Sequence, residues 1–449
     1  MLHTTLDDVL TKLRASLEVD DLTGALAIIE SLRPPDQAEL FAELQDEQQA
    51  ALLPRLSPED SASILEELDD EEAAELVAAL PVATVIRIVD EMAPDEAADL
   101  LAEMEPQQVK AVLSGLEDPE EIRPLLLHPT DSAGGLMTSS FLALRRRMTA
   151  VEALAAIRAW QPDSEDLYYL FVVDRYGRLT GVVNLRQLVT AVPHTQIGDM
   201  MDSAVIAVPV GTDQEECARL MSRYDLLALP VVDQDGLLLG VITIDDVVDV
   251  LEEEATEDIQ RLGASEPLDR AYLDTGILTV VRKRIGWLLL LFLTETLTGS
   301  VLRHFESELQ TAVSLAFFIP LLIGTGGNAG SQTTSTIIRA LAVGELDKRR
   351  LWRPLWHELR AGFVLGVGMA AIAYGRALLW GTTPAVALTV AVAIFTIVVW
   401  ANGLGSLLPI LADWVGIDPT VVSGPAMSTL VDATGLFIYF TIAGLLLGL

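Results

Sequence analysis

What most limits the fold of this chain is a change of solvent along its length. Beyond about residue 280 five apolar runs follow one another, near 285–303, 311–341, 359–380, 385–410 and 420–447. About 20 apolar residues in a helix cross the roughly 30 Å of bilayer hydrocarbon. One such run could be a buried helix of a soluble core, but five in series predict a bundle of five membrane-spanning helices. Arg282-Lys283-Arg284 precedes the first run, and Lys348-Arg349-Arg350 with Arg353 separates the second from the third. The positive-inside bias therefore predicts a cell-membrane protein with a cytoplasmic N-terminal part and an external C-terminus.

The rest of the chain has the opposite character. Only ten of the 65 acidic residues lie beyond residue 270, against eleven of the 29 Lys and Arg, so the net charge of −36 belongs wholly to the preceding part. Such a field repels nucleic acid, which is excluded as a partner, and attracts cations. An acidic surface also serves solubility, so only carboxylates at defined spacing are candidate ligands. The single cysteine, Cys217, excludes an internal disulfide and thiolate metal sites and fits a reducing compartment. The polar residues 1–20 predict no cleavable signal peptide.

Two internal repeats organise the acidic part. Between residues 20 and 130, Pro58, Asp70, Pro81, Pro94 and Pro106 each open a short apolar-periodic run, and the Glu71–Leu76 pattern recurs as Asp95–Leu100. This predicts helical repeats stacked into a superhelix. Next, Tyr169–Asp174 with Gly177 and Gly181–Asn184 recurs, offset by 59 residues, as Ala228–Asp233 with Gly236 and Gly240–Thr243. Each copy reads as strand, glycine turn, strand and helix. The pair resembles tandem CBS modules, which often bind adenine nucleotides. From Ile244 an acidic helix runs on without Gly or Pro to Gly263. The expected organisation is therefore multidomain: an all-α superhelical domain over 1–130, tandem α/β CBS domains over 131–243, an acidic connecting helix over 244–270, and a five-helix α transmembrane domain over 271–449.

Within the apolar part Asp432 is the prime functional candidate, because a carboxylate at membrane depth costs several kcal/mol unless it meets water, an ion or a partner. Ser428 lies one turn earlier on its face, with Thr429 and Thr434 close in sequence. Oxygen donors suit a hard cation such as Mg²⁺, which keeps several of its waters. The second run carries Pro320 and the small polar stretch Gly324–Ser335. So many helix breakers predict a broken helix whose freed backbone lines a cavity or packs inside the bundle. Gly362-x-x-x-Gly366 in the third run reads as a close-packing motif.

Pro320 with Gly327-Asn328-Ala329-Gly330-Ser331-Gln332, and Asp432 in a helix after Ser423-Gly424-Pro425, resemble the transmembrane signature of the MgtE magnesium channel and transporter family. The domain order matches as well. The resemblance implies a homodimer with one pore on its two-fold axis, in which the Asp432 pair binds hydrated Mg²⁺, and a pore closed by Mg²⁺ bound between cytosolic domains. Candidate ligands there are Asp246, Asp249, Glu254, Glu257 and Asp258 of the connecting helix, with Asp213, Glu215, Asp225, Glu59, Glu91 and Asp95 as partners. It further implies ATP binding by residues such as Tyr169 and Arg186. Thr243 and Asp246 match the ribose-contacting pattern of nucleotide-binding copies, whereas the first copy has Asn184 and Gln187. Glu295, in the first run, matches no part of this signature.

The expected function is a Mg²⁺-selective channel or transporter in contact with membrane lipid. The main alternative is a proton-coupled divalent metal carrier, and a membrane-anchored sensor is another. An intramembrane hydrolase would need two aspartates at matched depth, and only Asp432 qualifies, so the chain is not expected to be an enzyme.

Overall fold

The structure, a computed structural model, describes residues 3–160, 169–268, 272–273, 275–346, 352–422 and 424–448. It divides into two compact units, Met1–Leu251 and Glu252–Leu449. Lys348-Arg349-Arg350 and Ser423 lie outside the described residues.

In the first unit, ten short helices are described between His3 and Ile122. Five begin on a proline: Pro34–Ala42, Pro58–Glu66, Pro94–Glu103, Pro106–Leu113 and Pro119–Ile122. Proline is favoured there because its absent N–H would have no helical partner. Helices two apart in sequence pack together, Asp70–Ala78 on Pro94–Glu103 and Val82–Val89 on Pro106–Leu113, which makes the superhelix. The recurring pattern buries Ala73, Ala74, Leu76 and Val77 in one repeat and Ala97, Ala98, Leu100 and Leu101 in the other.

The following segment forms two three-stranded sheets. β1 (Ala143–Arg145), β2 (Tyr169–Val173) and β3 (Leu179–Asn184) make the first, and β4 (Val208–Pro209), β5 (Ala228–Val232) and β6 (Leu238–Thr243) the second. In each the first pair is parallel and the second antiparallel. Tyr169 faces Asn184 as Ala228 faces Thr243, and both hairpins shift register at the same place, Val172/Val173 and Val231/Val232. The 59-residue repeat thus survives as equal strand pairing. Leu179 N–H donates to the Gly236 carbonyl and Leu238 N–H to that of Gly177, which ties the copies tip to tip. The second copy's last helix, Ile244–Leu262, buries Val247 and Val250 and runs on as the connecting helix.

The second unit holds five helices long and apolar enough to span a membrane: Ile277–His304, Val313–Ala342, Trp352–Leu379, Pro384–Val415 and Gly424–Leu447. They are termed the first to fifth spans. Its core is built from the second, fourth and fifth spans, with Leu322, Ile394, Ile397, Val431, Tyr439 and Phe440 buried. The expected break within the second span is not found. Ile319–Ala342 is one continuous helix, and the irregular backbone lies before it, as a 3₁₀ stretch over Val313–Phe318. Pro320 stands in the first helical turn, where it breaks nothing. The glycines stay helical because hydrocarbon leaves their N–H and C=O groups no other partner.

Candidate functional site

The second and fifth spans meet through small residues. A methyl group added at Gly326 would come within 2.5 Å of Ile397 and 2.8 Å of Val431, and one at Gly330 within 3.0 Å of Met427. At Gly327 it would stand 3.1 Å from Ser428 Oγ and 3.7 Å from Asp432 Oδ1. Glycine there lets bare backbone approach the carboxylate, with no side chain to screen it. The hydroxyl oxygens of Ser331 and Ser428 lie 3.3 Å apart, and Ser331 Oγ donates to the Gly424 carbonyl at 3.1 Å. The spans thus bring Asp432, Ser428, Ser331 and Gly327 together. Two other hydroxyls of the sequence reading are already engaged. Thr429 donates to the Pro425 carbonyl; Thr434 donates to Leu430 and accepts from Trp400 Nε1 at 3.0 Å.

Behind this face a second polar set fastens the helices. Thr333 Oγ1 donates to Asn402 Oδ1 at 2.7 Å and stands 3.3 Å from Glu358 Oε2, while Asn402 Nδ2 donates to the Val398 carbonyl at 2.8 Å. Spans two, three and four are joined by this one cluster. Gly362 fits against Asn402 and Gly366 against Phe395, the close packing read from their spacing. Sequence reasoning missed the cluster, since residues 333, 358 and 402 share no local pattern.

In the first unit the carboxylates fall into two groups. Glu59, Glu91, Asp213, Glu215, Asp225 and Asp249 are exposed. Asp213 caps the helix that follows it, accepting from Glu215 N–H at 3.0 Å, and Asp225 ends that helix in the left-handed conformation. Asp95, by contrast, is only 9% exposed. Burial, then the neighbouring Asp95 and Asp246 charges, push Glu96 up to about 9. Burial first and Asp95 next push Asp246 up to about 7, against the hydrogen bond from Thr243 Oγ1 at 2.6 Å. Asp95 and Asp246 therefore stand close, and Glu96, which the sequence reading passed over, stands with them. Among the described residues no three His, Cys, Asp or Glu side chains form a set that could hold a metal.

On the connecting helix Glu254, Glu257 and Asp258 are partly buried. Arg261 pairs with Glu257 and, across 157 residues of sequence, with Asp418 at 2.5 Å. Burial and then the charge of Asp418 raise the Asp258 carboxyl above its ordinary range. Sequence reading named neither Arg261 nor Asp418. A narrow cleft between the two sheets is lined by Tyr169, Trp160, Phe141, Ala228 and Thr243. Arg186 is not among its walls; it is exposed on the helix Leu185–Thr190.

Comparison with known proteins matches each part. The MgtE family, described as a divalent cation transporter, matches residues 319–442; the MgtE intracellular N domain matches 32–131 and the CBS domain 133–194 and 197–253. The chain is 45% identical over 338 residues, 75% of each chain, to the magnesium transporter MgtE of Thermus thermophilus. To the transporters of the same name from Bacillus subtilis and Enterococcus faecalis it is 33% and 35% identical, over 74% and 73% of this chain and 73% and 72% of theirs. A solved cytosolic domain of the Mg²⁺ channel MgtE in complex with ATP is 38% identical with a TM-score of 0.51, covering 54% of this chain and 99% of that one. The chain is a multi-pass membrane protein and belongs to the MgtE family.

Proposed function

We propose that the chain conducts Mg²⁺ across the cell membrane along its second and fifth spans. The placement of Asp432 carries this reading: it is a carboxylate inside a 24-residue apolar helix, beside glycine backbone and serine hydroxyls. Among the described residues it has no ion-pair partner, so water or a passing cation must supply the compensation. Backbone carbonyls, hydroxyls and a carboxylate suit a Mg²⁺ that arrives hydrated and gives up few of its waters. The magnesium transporters that the chain resembles over three quarters of its length support the same cargo.

In this reading the acidic units are cytosolic and the C-terminus external, the chain works as a homodimer with the pore on the two-fold axis, and internal Mg²⁺ closes the pore. Mg²⁺ would occupy acidic faces drawn from Asp95, Asp246, Glu59, Glu91, Asp213, Glu215, Asp225, Asp249, Glu254, Glu257 and Asp258. Carboxylates that repel when close are converted to attraction by a divalent cation, so its occupancy selects the compact state. In favour is the crowding of Asp95, Glu96 and Asp246, where burial first and neighbouring like charges next raise the Glu96 and Asp246 carboxyls. ATP would enter the cleft walled by Tyr169 and Thr243.

The test is Mg²⁺ flux through the full chain reconstituted in liposomes. Asp432→Ala is expected to lower it about 100-fold, equivalent to about 2.7 kcal/mol. An imposed pH gradient is expected to leave wild-type flux unchanged. Flux that follows the pH gradient would replace the channel by a proton-coupled carrier, and unchanged flux in the variant would end the reading. For gating, millimolar Mg²⁺ is expected to protect residues 245–270 from proteolysis.

A further inference from the structure

Glu295 has no role in the pathway described so far, yet it lies deep in the first span. It stands nine residues before His304 and eighteen after Ile277, so the nearer end is about 14 Å away. A glutamate side chain is too short to bridge that distance, and its charge at such depth requires water, an ion or a partner.

The register of the first and fifth spans places it. With five spans in alternation these two run in the same direction, and they pack side by side. Phe305, at the end of the first, stacks on Phe440 with ring centroids 5.2 Å apart and meets Phe437 edge-on at 5.7 Å. Equal steps of about 1.5 Å per residue then carry the register downward. Seven residues below Phe305 is Thr298, and seven below the Phe437–Phe440 turn is the turn that holds Asp432. Glu295 follows one helical turn below Thr298 on the same face.

Thr298 is the second, independent sign of a ligand. Thr294, Thr296 and Ser300 each donate to a carbonyl of their own helix, at 2.8, 2.5 and 2.8 Å. Thr298 is 6% exposed, and its Oγ1 has no hydrogen-bond partner among the described residues. A buried hydroxyl without a partner, level with the Asp432 turn and one helical turn from Glu295, is a polar group suited to meet a ligand there.

We propose that Glu295 and Thr298 of the first span join Asp432 in one subsite for a partly hydrated divalent cation, with both carboxylates contributed by a single chain. The proposal rests on the transport reading and deepens it: the first span becomes part of the path, and the site carries two negative charges per chain where Asp432 alone carries one. Two carboxylates so placed repel when empty and attract a divalent ion more strongly than a monovalent one.

The experiment is Mg²⁺ uptake against external Mg²⁺ concentration, with the full chain in liposomes. Glu295→Gln is expected to raise the half-saturating concentration about tenfold and to keep the maximal rate within about twofold, and Glu295→Asp to recover part of the shift. Thr298→Val is expected to raise it about threefold. A merely structural role would lower the maximal rate and leave half-saturation in place, which would overturn the subsite. Asp432→Ala separates the two readings. Flux lost there, with half-saturation unmoved in Glu295→Gln, removes the subsite and keeps the channel; flux retained there removes both. Where Glu295→Gln fails to reach the membrane, Glu295→Asp and Thr298→Val decide, and unmoved half-saturation in both overturns the proposal.

Discussion

The two units treat negative charge in opposite ways. In the first, carboxylates are so numerous that most are exposed, and the buried Asp95 is crowded by the partly buried Glu96 and Asp246. In the second, the spans carry few, and each has a particular setting: Asp432 beside Gly327 and Ser428, Glu358 beside Thr333. Charge in water is collective and tolerant of substitution; charge among lipid-length helices is individual and is not.

That contrast can be broken by experiment. After Asp432→Ala the largest effect is expected from Gly327→Val, which fills the space between the second and fifth spans and forces Ser428 and Asp432 away. Overpacking of this kind costs about 1–3 kcal/mol, and Mg²⁺ flux normalised to protein in the membrane should fall at least about 30-fold. Flux within twofold of wild type would show that the glycine face is not the path.

Next comes the crowded cluster of the first unit. Glu96 and Asp246 are pushed up to about 9 and about 7, so the folded form binds more protons than the unfolded one from about pH 4 upward. Stability is therefore lost as pH climbs through that window. Without Mg²⁺ the thermal midpoint of the first unit should drop between pH 6 and pH 9, by roughly 2–4 °C for each kcal/mol lost, and added Mg²⁺ should reverse the drop. A midpoint that rises with pH would show that the three carboxylates do not crowd.

A smaller change is expected from Thr333→Val, which deletes the donor that joins Asn402 and Glu358. Interhelical hydrogen bonds in membranes contribute about 0.6–1.7 kcal/mol, to be read as faster thermal inactivation in detergent with Mg²⁺ half-saturation unmoved. The smallest is Glu59→Gln on the exposed superhelix. Single surface charges are worth under about 1 kcal/mol, so the Mg²⁺ concentration that protects residues 245–270 should shift by no more than about twofold. A tenfold shift would promote Glu59 from one charge in a field to a specific ligand.

Much of the architecture was legible in the sequence because it is periodic. The 59-residue repeat returns as identical strand register in both sheets, and the prolines at 58, 94 and 106 open the helices that their spacing announced. Asp432 was legible as a charge in an apolar run. The glycine stretch was misread as a break, because glycine's freedom in water does not carry into hydrocarbon, where the helix keeps its hydrogen bonds. Arg261 with Asp418, and the Thr333 cluster, were not legible at all. Sequence shows which helices exist, but the rotation of one about its axis against another is set by side chains far apart in the chain.

At one point two helices of the bundle approach almost backbone to backbone. A methyl group at Gly405 would come within 2.7 Å of the Gly330 carbonyl oxygen, with Thr333 Cβ at 3.1 Å and Thr334 Oγ1 at 3.2 Å, so the second and fourth spans meet with only these threonines beside the backbone contact. Such a contact resists compression, and the Thr334 hydroxyl donating to the Gly405 carbonyl at 3.4 Å, with the Thr333–Asn402 bond beside it, holds it against separation. The two helices are therefore held at one fixed spacing, and even alanine at position 405 would wedge them apart.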